Sequence, residues 1–174
     1  MIELDIGALL RKMVLRLNKK HAGVGPSLQL HAPPGLPPLT LQDETLERAI
    51  EKIIYQASVI GRPSQAVKIS VGPKPHWQDL KDYFDLHPAC WIQMSIDIGA
   101  WGFGELARGI LKDHGYASVD SVDVENTNQR LDVFYLDADR APKLLLWTKQ
   151  HRFSTKCALL IPLVEPLRDT HGLH

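Results

Sequence analysis

Two cysteines and eight histidines are the side chains of this sequence best suited to nucleophilic or metal chemistry. A structural zinc site wants four nitrogen or sulfur ligands, and His87 with Cys90 cannot build one alone. No local signature marks Cys90 or Cys157 as half of a Cys–His nucleophilic pair. Each cysteine sits among mostly apolar neighbours, Ala89-Cys90-Trp91-Ile92 and Lys156-Cys157-Ala158-Leu159. That setting predicts buried free thiols in a reducing compartment rather than a disulfide. The run Gly99-Ala100-Trp101-Gly102-Phe103-Gly104 is glycine-rich. Its spacing and bulk depart from a dinucleotide fingerprint, which needs small residues where the backbone approaches a pyrophosphate. Trp77, Trp91, Trp101 and Trp147 are not interleaved with basic residues, so no stacking track for single-stranded nucleic acid emerges.

These residues are positioned by a regular succession of elements. Asp5 is a plausible N-cap. Ile6, Leu9, Leu10, Met13, Val14 and Leu17 then recur at helical spacing. Arg11, Lys12, Arg16, Lys19 and Lys20 gather toward the end of that helix, where its dipole favours cations, and read as a solvated face. Ser27 to His31 alternates as a short strand and runs into Pro33-Pro34-Gly35-Leu36-Pro37-Pro38, which suits neither helix nor central strand. Asp43 and Thr45 offer caps for the strongest helix, carrying Leu46, Ile50, Ile53, Ala57 and Ile60 and ending at Gly61 and Pro63. Val67 to Val71 and Trp91 to Asp97 read as strands joined by a connection containing Pro73, Pro75 and Pro88. A short helix is expected over Glu105 to Asp113, and little pattern over 115 to 128. Leu131, Phe134, Tyr135 and Ala138 suit a further helix, with a strand over Leu131 to Leu136 as the alternative. A hairpin of Leu144 to Lys149 and Thr155 to Ile161 closes the chain before a polar tail. This order predicts an α+β fold, a two-layer sandwich with a mixed, mostly antiparallel sheet of about five strands and about three helices on one face.

The chain has 174 residues, 44% hydrophobic and 23% charged, which suits one domain with a sizeable core. Twenty basic residues balance twenty acidic ones, so the overall charge argues for neither nucleic acid nor a membrane surface as partner. Residues 1 to 20 place Glu3 and Asp5 before their basic residues, the reverse of a signal peptide. No apolar run approaches the roughly 20 residues of a membrane span. The expectation is a cytoplasmic chain, or an intracellular piece of something larger.

Several stretches, in order, resemble the catalytic ATP-binding domain of sensor histidine kinases, within the wider group of gyrase-type ATPases and heat-shock chaperones. Leu28-Gln29-Leu30-His31 runs through Leu36-Pro37-Pro38-Leu39 and Asp43 into the helix from Leu46 to Ala57. That succession is similar to the family's strand, Leu-Pro turn, acidic residue and asparagine-box helix. Trp91-Ile92-Gln93-Met94-Ser95-Ile96-Asp97-Ile98-Gly99 resembles the strand delivering the first glycine box. Leu144 to Trp147 and Phe153 to Pro162 resemble the closing hairpin. The likeness implies one such domain over residues 1–165, with 166–174 as a polar tail.

The resemblance implies roles for particular residues. Gln56 matches the asparagine that holds Mg²⁺ against the nucleotide phosphates, one methylene longer, so its oxygen is relocated. Lys52, one turn earlier, stands at a second polar position. It either contacts phosphate or is a solvated lysine on the polar side of the helix. Asp97 matches the aspartate that accepts the adenine amino proton, although aspartate is also a common turn-former. Gly99 keeps the first glycine; Trp101 occupies the second glycine position, with Gly102 one residue late. An indole there either stacks on a base or fills the adenine pocket. The second glycine box, whose bare N–H groups would close a lid over the phosphates, has no match between Gly104 and Arg140, and Glu125-Asn126-Thr127-Asn128-Gln129 occupies its approximate region. None of the eight histidines is followed by the acidic residue usual at a phosphoacceptor.

The resemblance therefore implies ATP or ADP with Mg²⁺ at Lys52, Gln56, Asp97, Gly99 and Gly102, with Gln56 as the metal's ligand. It also implies a partner that is a phosphoacceptor or another protein of two-component signalling. The departures imply weakened or lost catalysis. The alternative is a pseudo-ATPase module that binds protein and no nucleotide.

Overall fold

A computed structural model describes residues 1–73, 91–124, 126–136 and 144–163. Trp77, His87, Cys90, Glu125, Ala138 and the tail at 166–174 lie outside the described residues, as does most of the proline-containing connection after Pro73. Among the described residues the elements run β1 (Ile2–Leu4), α1 (Ile6–Lys20), β2 (Leu28–His31), β3 (Leu39–Leu41), α2 (Thr45–Ile60), β4 (Val67–Pro73) and β5 (Trp91–Ile98). After these come α3 (Phe103–Asp113), β6 (Tyr116–Val124), β7 (Gln129–Leu136), β8 (Leu144–Gln150) and β9 (Thr155–Pro162).

Local chemistry explains the two long helices. The Asp5 carboxylate accepts from the Ala8 N–H at 2.9 Å, satisfying one of the free donors at the start of α1. Ile6, Leu10, Met13 and Leu17 form its buried stripe. At α2 the Asp43 side chain accepts from Thr45 N–H at 2.9 Å, and Gly61 closes the far end with its N–H on the Ala57 carbonyl. Asn18 of α1 bonds both backbone groups of Leu28, pinning β2 beneath that helix.

Seven strands form one sheet in the order β2-β4-β5-β9-β8-β7-β6; β2 and β4 are parallel and every other pair is antiparallel. β1 and β3 pair separately as a small ribbon, tied to the chain after β9 by the Thr40 N–H on the Leu163 carbonyl. In β5 the residues alternate, with Ile92, Met94, Ile96 and Ile98 buried and Trp91, Gln93, Ser95 and Asp97 half-buried. The buried set joins Leu10, Ile50, Ile53, Phe103 and Leu111 in the main core, so all three helices lie on one face. The α+β layering matches the expectation.

Two expectations change. Among the described residues the sheet has seven strands rather than about five, because the pair β6 and β7 extends it beyond β8. The helix expected around Leu131 to Ala138 is replaced over its described part by strand β7. Its even positions bury Phe134 in the main core, while Leu131 and Val133 enter a second cluster with Leu145, Leu160 and Trp147. A strand covered on both faces loses the period-two alternation that identifies strands in sequence.

The hairpin turn uses two non-glycine residues at positive φ, Asn126 at 62° and Asn128 at 54°. Asparagine tolerates this region; β-branched residues do not. Asn128→Val should therefore cost about 1–2 kcal/mol, and Asn128→Gly should cost less. Urea unfolding of both variants reads the difference, and equal midpoints would refute the strain.

Candidate functional site

β5 ends at Ile98 and α3 begins at Phe103, so four residues, Gly99 to Gly102, form the whole connection. The facing ends of β8 and β9 hold it. The Thr155 hydroxyl donates to the Ala100 carbonyl at 2.8 Å and lies 2.9 Å from Gln150 Oε1. That same oxygen accepts from Gly102 N–H at 3.3 Å. The Gln150 amide nitrogen in turn donates to the carbonyls of His151 and Ser154.

Both glycines singled out from the sequence have structural reasons here. Gly102 has φ of 82° and stands as N-cap of α3 without a side-chain cap bond. A Cβ on Gly99 would meet Gln65 Oε1 at 1.9 Å, so the Gln65 side chain lies against this glycine. Gly104 makes a second close approach, one that sequence reasoning missed. A Cβ there would lie 2.9 Å from Thr148 Cγ2, where α3 sits down on β8. Trp101 is 75% exposed and fills no pocket.

The candidate side chains are not brought into one place. By strand parity Asp97 projects from the sheet face opposite the helices, between Lys68 of β4 and Lys156 of β9. Gln56 and Lys52 belong to α2, on the other side of that sheet. Gln56 is half-buried, and exposed Lys52 holds its ammonium 5.6 Å from the Tyr55 ring centroid. Asp97 and Gly99 do share a cleft of about 410 Å³ with Gln65, Ala66, Lys68, Phe153 and Ser154; neither Gln56 nor Lys52 lines it. The stretch where the resemblance implies a lid is instead α3 and the β6–β7 hairpin.

Behind the turn lies a cluster of charges that sequence reasoning did not assemble. Asp132 on β7 is fully buried, and Arg108 on α3 is 7% exposed. Arg108 Nη1 is 3.3 Å from Asp132 Oδ2 and donates to Thr148 Oγ1 at 3.2 Å, while Nη2 reaches Glu105. Arg130 contacts the other Asp132 oxygen through Nε at 3.1 Å and Nη2 at 3.0 Å. Hydrogen bonding from Arg108, more than its charge alone, holds the Glu105 carboxyl below its ordinary range. Burial pushes the Cys157 thiol up to about 12. It is a free, buried thiol, as the sequence implied, and is not an activated nucleophile near neutral pH.

No protein-family model matches the chain, and no curated protein matches it significantly. Solved structures do. The nucleotide-free catalytic domain of histidine kinase ThkA superposes with a TM-score of 0.55 at 9% identity, covering 95% of this chain and 98% of that one. The mycobacterial sensor histidine kinase MprB gives 0.47 at 11% identity over 92% and 96%. The histidine kinase domain of the E. coli osmosensor EnvZ gives 0.48 at 13% over 100% and 94%. The ThkA likeness shows that this chain has the fold of the histidine kinase catalytic domain.

Arg108→Met should cost about 3 kcal/mol, because it removes the charged donor from one oxygen of the buried Asp132 carboxylate while Arg130 keeps the other. Asp132→Leu added to it should restore part of that loss. A denaturant double-mutant cycle measures the coupling, and simple additivity would refute it. Glu105 adds a pH signature. Its folded carboxyl titrates below the ordinary value of 4.5, so its contribution is present above that pH and lost as pH falls further. The stability gap between wild type and Glu105→Gln should therefore shrink in acid below pH 4.5. A constant gap there would contradict the assignment.

Proposed function

We propose that the chain is a domain of cytoplasmic signal transduction with the histidine kinase ATP-binding fold that has lost nucleotide binding and phosphoryl transfer, its fold kept as a surface for a phosphoacceptor or other signalling protein. The connection between β5 and α3 carries this reading. A lid closing over phosphates needs free chain after the first glycine turn, with bare N–H groups to offer. Here the four-residue connection is tied to Gln150 through the Gly102 N–H and to Thr155 through the Ala100 carbonyl, and the chain then enters a helix and a sheet hairpin. Asp97 and Gln56 lie on opposite sides of the sheet, which also supports the reading. ATP or ADP with Mg²⁺ would need an adenine acceptor and a metal ligand facing one pocket, and these residues do not fit that group.

One observation favours a second reading, retained nucleotide binding without transfer. The first turn of α3 has no side-chain cap. Its leading N–H groups are of the kind that hold phosphate at helix starts.

Calorimetric titration with ATP and ADP, with and without Mg²⁺, separates the two. The expected result is no saturable heat and no thermal shift at millimolar nucleotide. A site with Kd of ~10 µM would add about 2.7 kcal/mol at ~1 mM ligand, a change easily seen on melting. Saturable, Mg²⁺-dependent binding weakened by Gln56→Ala would establish the second reading. Phosphotransfer to a supplied histidine acceptor would overturn the loss of catalysis.

A further inference from the structure

The sheet face away from the helices carries an ordered arrangement that neither the core nor a nucleotide site uses. The strand registers align two cross-sheet rows on it. The first runs Gln29, Lys68, Asp97, Lys156 and Lys149 across β2, β4, β5, β9 and β8. The second, two residues along each strand, runs His31, Ser70, Ser95, Ala158 and Trp147. Exposed His31 and half-buried Trp147 thus bracket three small residues, and the result is a trough of about 540 Å³. Lys68, Asp97 and Lys156 line the same trough.

Charge and size both select an occupant. Three lysines face one aspartate along the first row, and among the described residues none of the three is paired with a carboxylate. Neighbouring strands lie about 4.8 Å apart, so the three small residues leave a floor roughly 10 Å wide, about the span of a fused aromatic ring. The two rows lie about 7 Å apart along the strands. A ring resting on Ser70, Ser95 and Ala158 would therefore present a substituent to the ammonium groups of Lys68 and Lys156. The volume falls within that of small-molecule sites, which are mostly apolar with a few convergent polar groups.

We propose that this trough binds a small planar organic anion, an aromatic carboxylate or aryl phosphate, with its ring against Trp147 and its anionic group on Lys68 and Lys156. Asp97, between the two lysines in the row, offsets part of their charge, so the site takes a single anionic group. Gln56 and Lys52 lie on the other side of the sheet and take no part in the site; Asp97 and Lys68 also line the cleft beside Gly99, so the lysine variants, not nucleotide binding, decide the proposal.

Calorimetry on the whole chain tests it with 2-naphthoate, 1-naphthyl phosphate, neutral 2-naphthalenemethanol and inorganic phosphate. Saturable binding of at least one aryl anion is expected, tenfold or more tighter than the alcohol or inorganic phosphate; which anion binds tighter tells carboxylate from phosphate. Lys68→Gln with Lys156→Gln should weaken the aryl anion at least tenfold and leave the alcohol unchanged. Ser95→Leu, which fills the floor, should remove binding of both while far-ultraviolet dichroism and melting show the fold intact. Absence of saturable binding by either anion at ~10 mM, or equal affinity in wild type and the double lysine variant, overturns the proposal.

Discussion

The Arg108 guanidinium and the Asp132 carboxylate, both buried, fix the half of this molecule that follows β5. A carboxylate removed from water costs several kcal/mol unless charged donors meet it. Asp132 is met on one oxygen by Arg108 and on the other by Arg130. Those contacts join α3 to β7, and the Thr148 bond joins α3 to β8. The hairpin that widens the sheet is thereby locked to the helix it follows. A four-residue tether spans at most about 14 Å, so fixing α3 also fixes the turn between β5 and α3.

That turn shows what the locked helix costs in chemistry. Backbone N–H and C=O groups at a glycine-rich strand-to-helix junction are the usual raw material of a phosphate cradle. Here the Gly102 N–H is engaged by Gln150, the Ala100 carbonyl by Thr155, and the space beside Gly99 by Gln65. Glycine is kept at 102 for its φ and at 99 and 104 for close approach, reasons sufficient without a ligand. Glycines that resemble a nucleotide box can therefore persist where the turn alone demands them.

The helices and closing hairpin were legible because their signals are local. Asp5 caps α1, apolar residues recur along α2, and Thr155 to Ile161 is apolar between turn residues. β6 was not legible, and β7 only as the alternative to a helix, for two different reasons. β6 is an edge strand rich in Ser and Asp, so it offers little apolar pattern. β7 is buried on both faces, so its apolar residues crowd together and mimic a helix. The site residues are a separate matter. The resemblance matches Asp97 by its place before Gly99, whereas the face of a strand residue is set by parity. The alternation Ile92, Met94, Ile96, Ile98 stood in the sequence, and it turns Asp97 away from the helices. The Arg108–Asp132 pair was invisible for a simpler reason: 24 residues separate its members, and only the fold joins them.

Parity also explains the charged end of the face away from the helices. Lys149 and Lys156 stand directly opposite each other on β8 and β9, a like-charge pairing that weakens a sheet. Lys156 and Lys68 flank a single aspartate without forming an ion pair. The helix face of the same strands is resolved, its apolar residues packed and its charges matched around Asp132. Local choices that oppose stability are expected where a surface does something other than fold. In this chain the opposed like charges lie on the outer face of the sheet, while the junction between β5 and α3 is tied to Gln150 and Thr155.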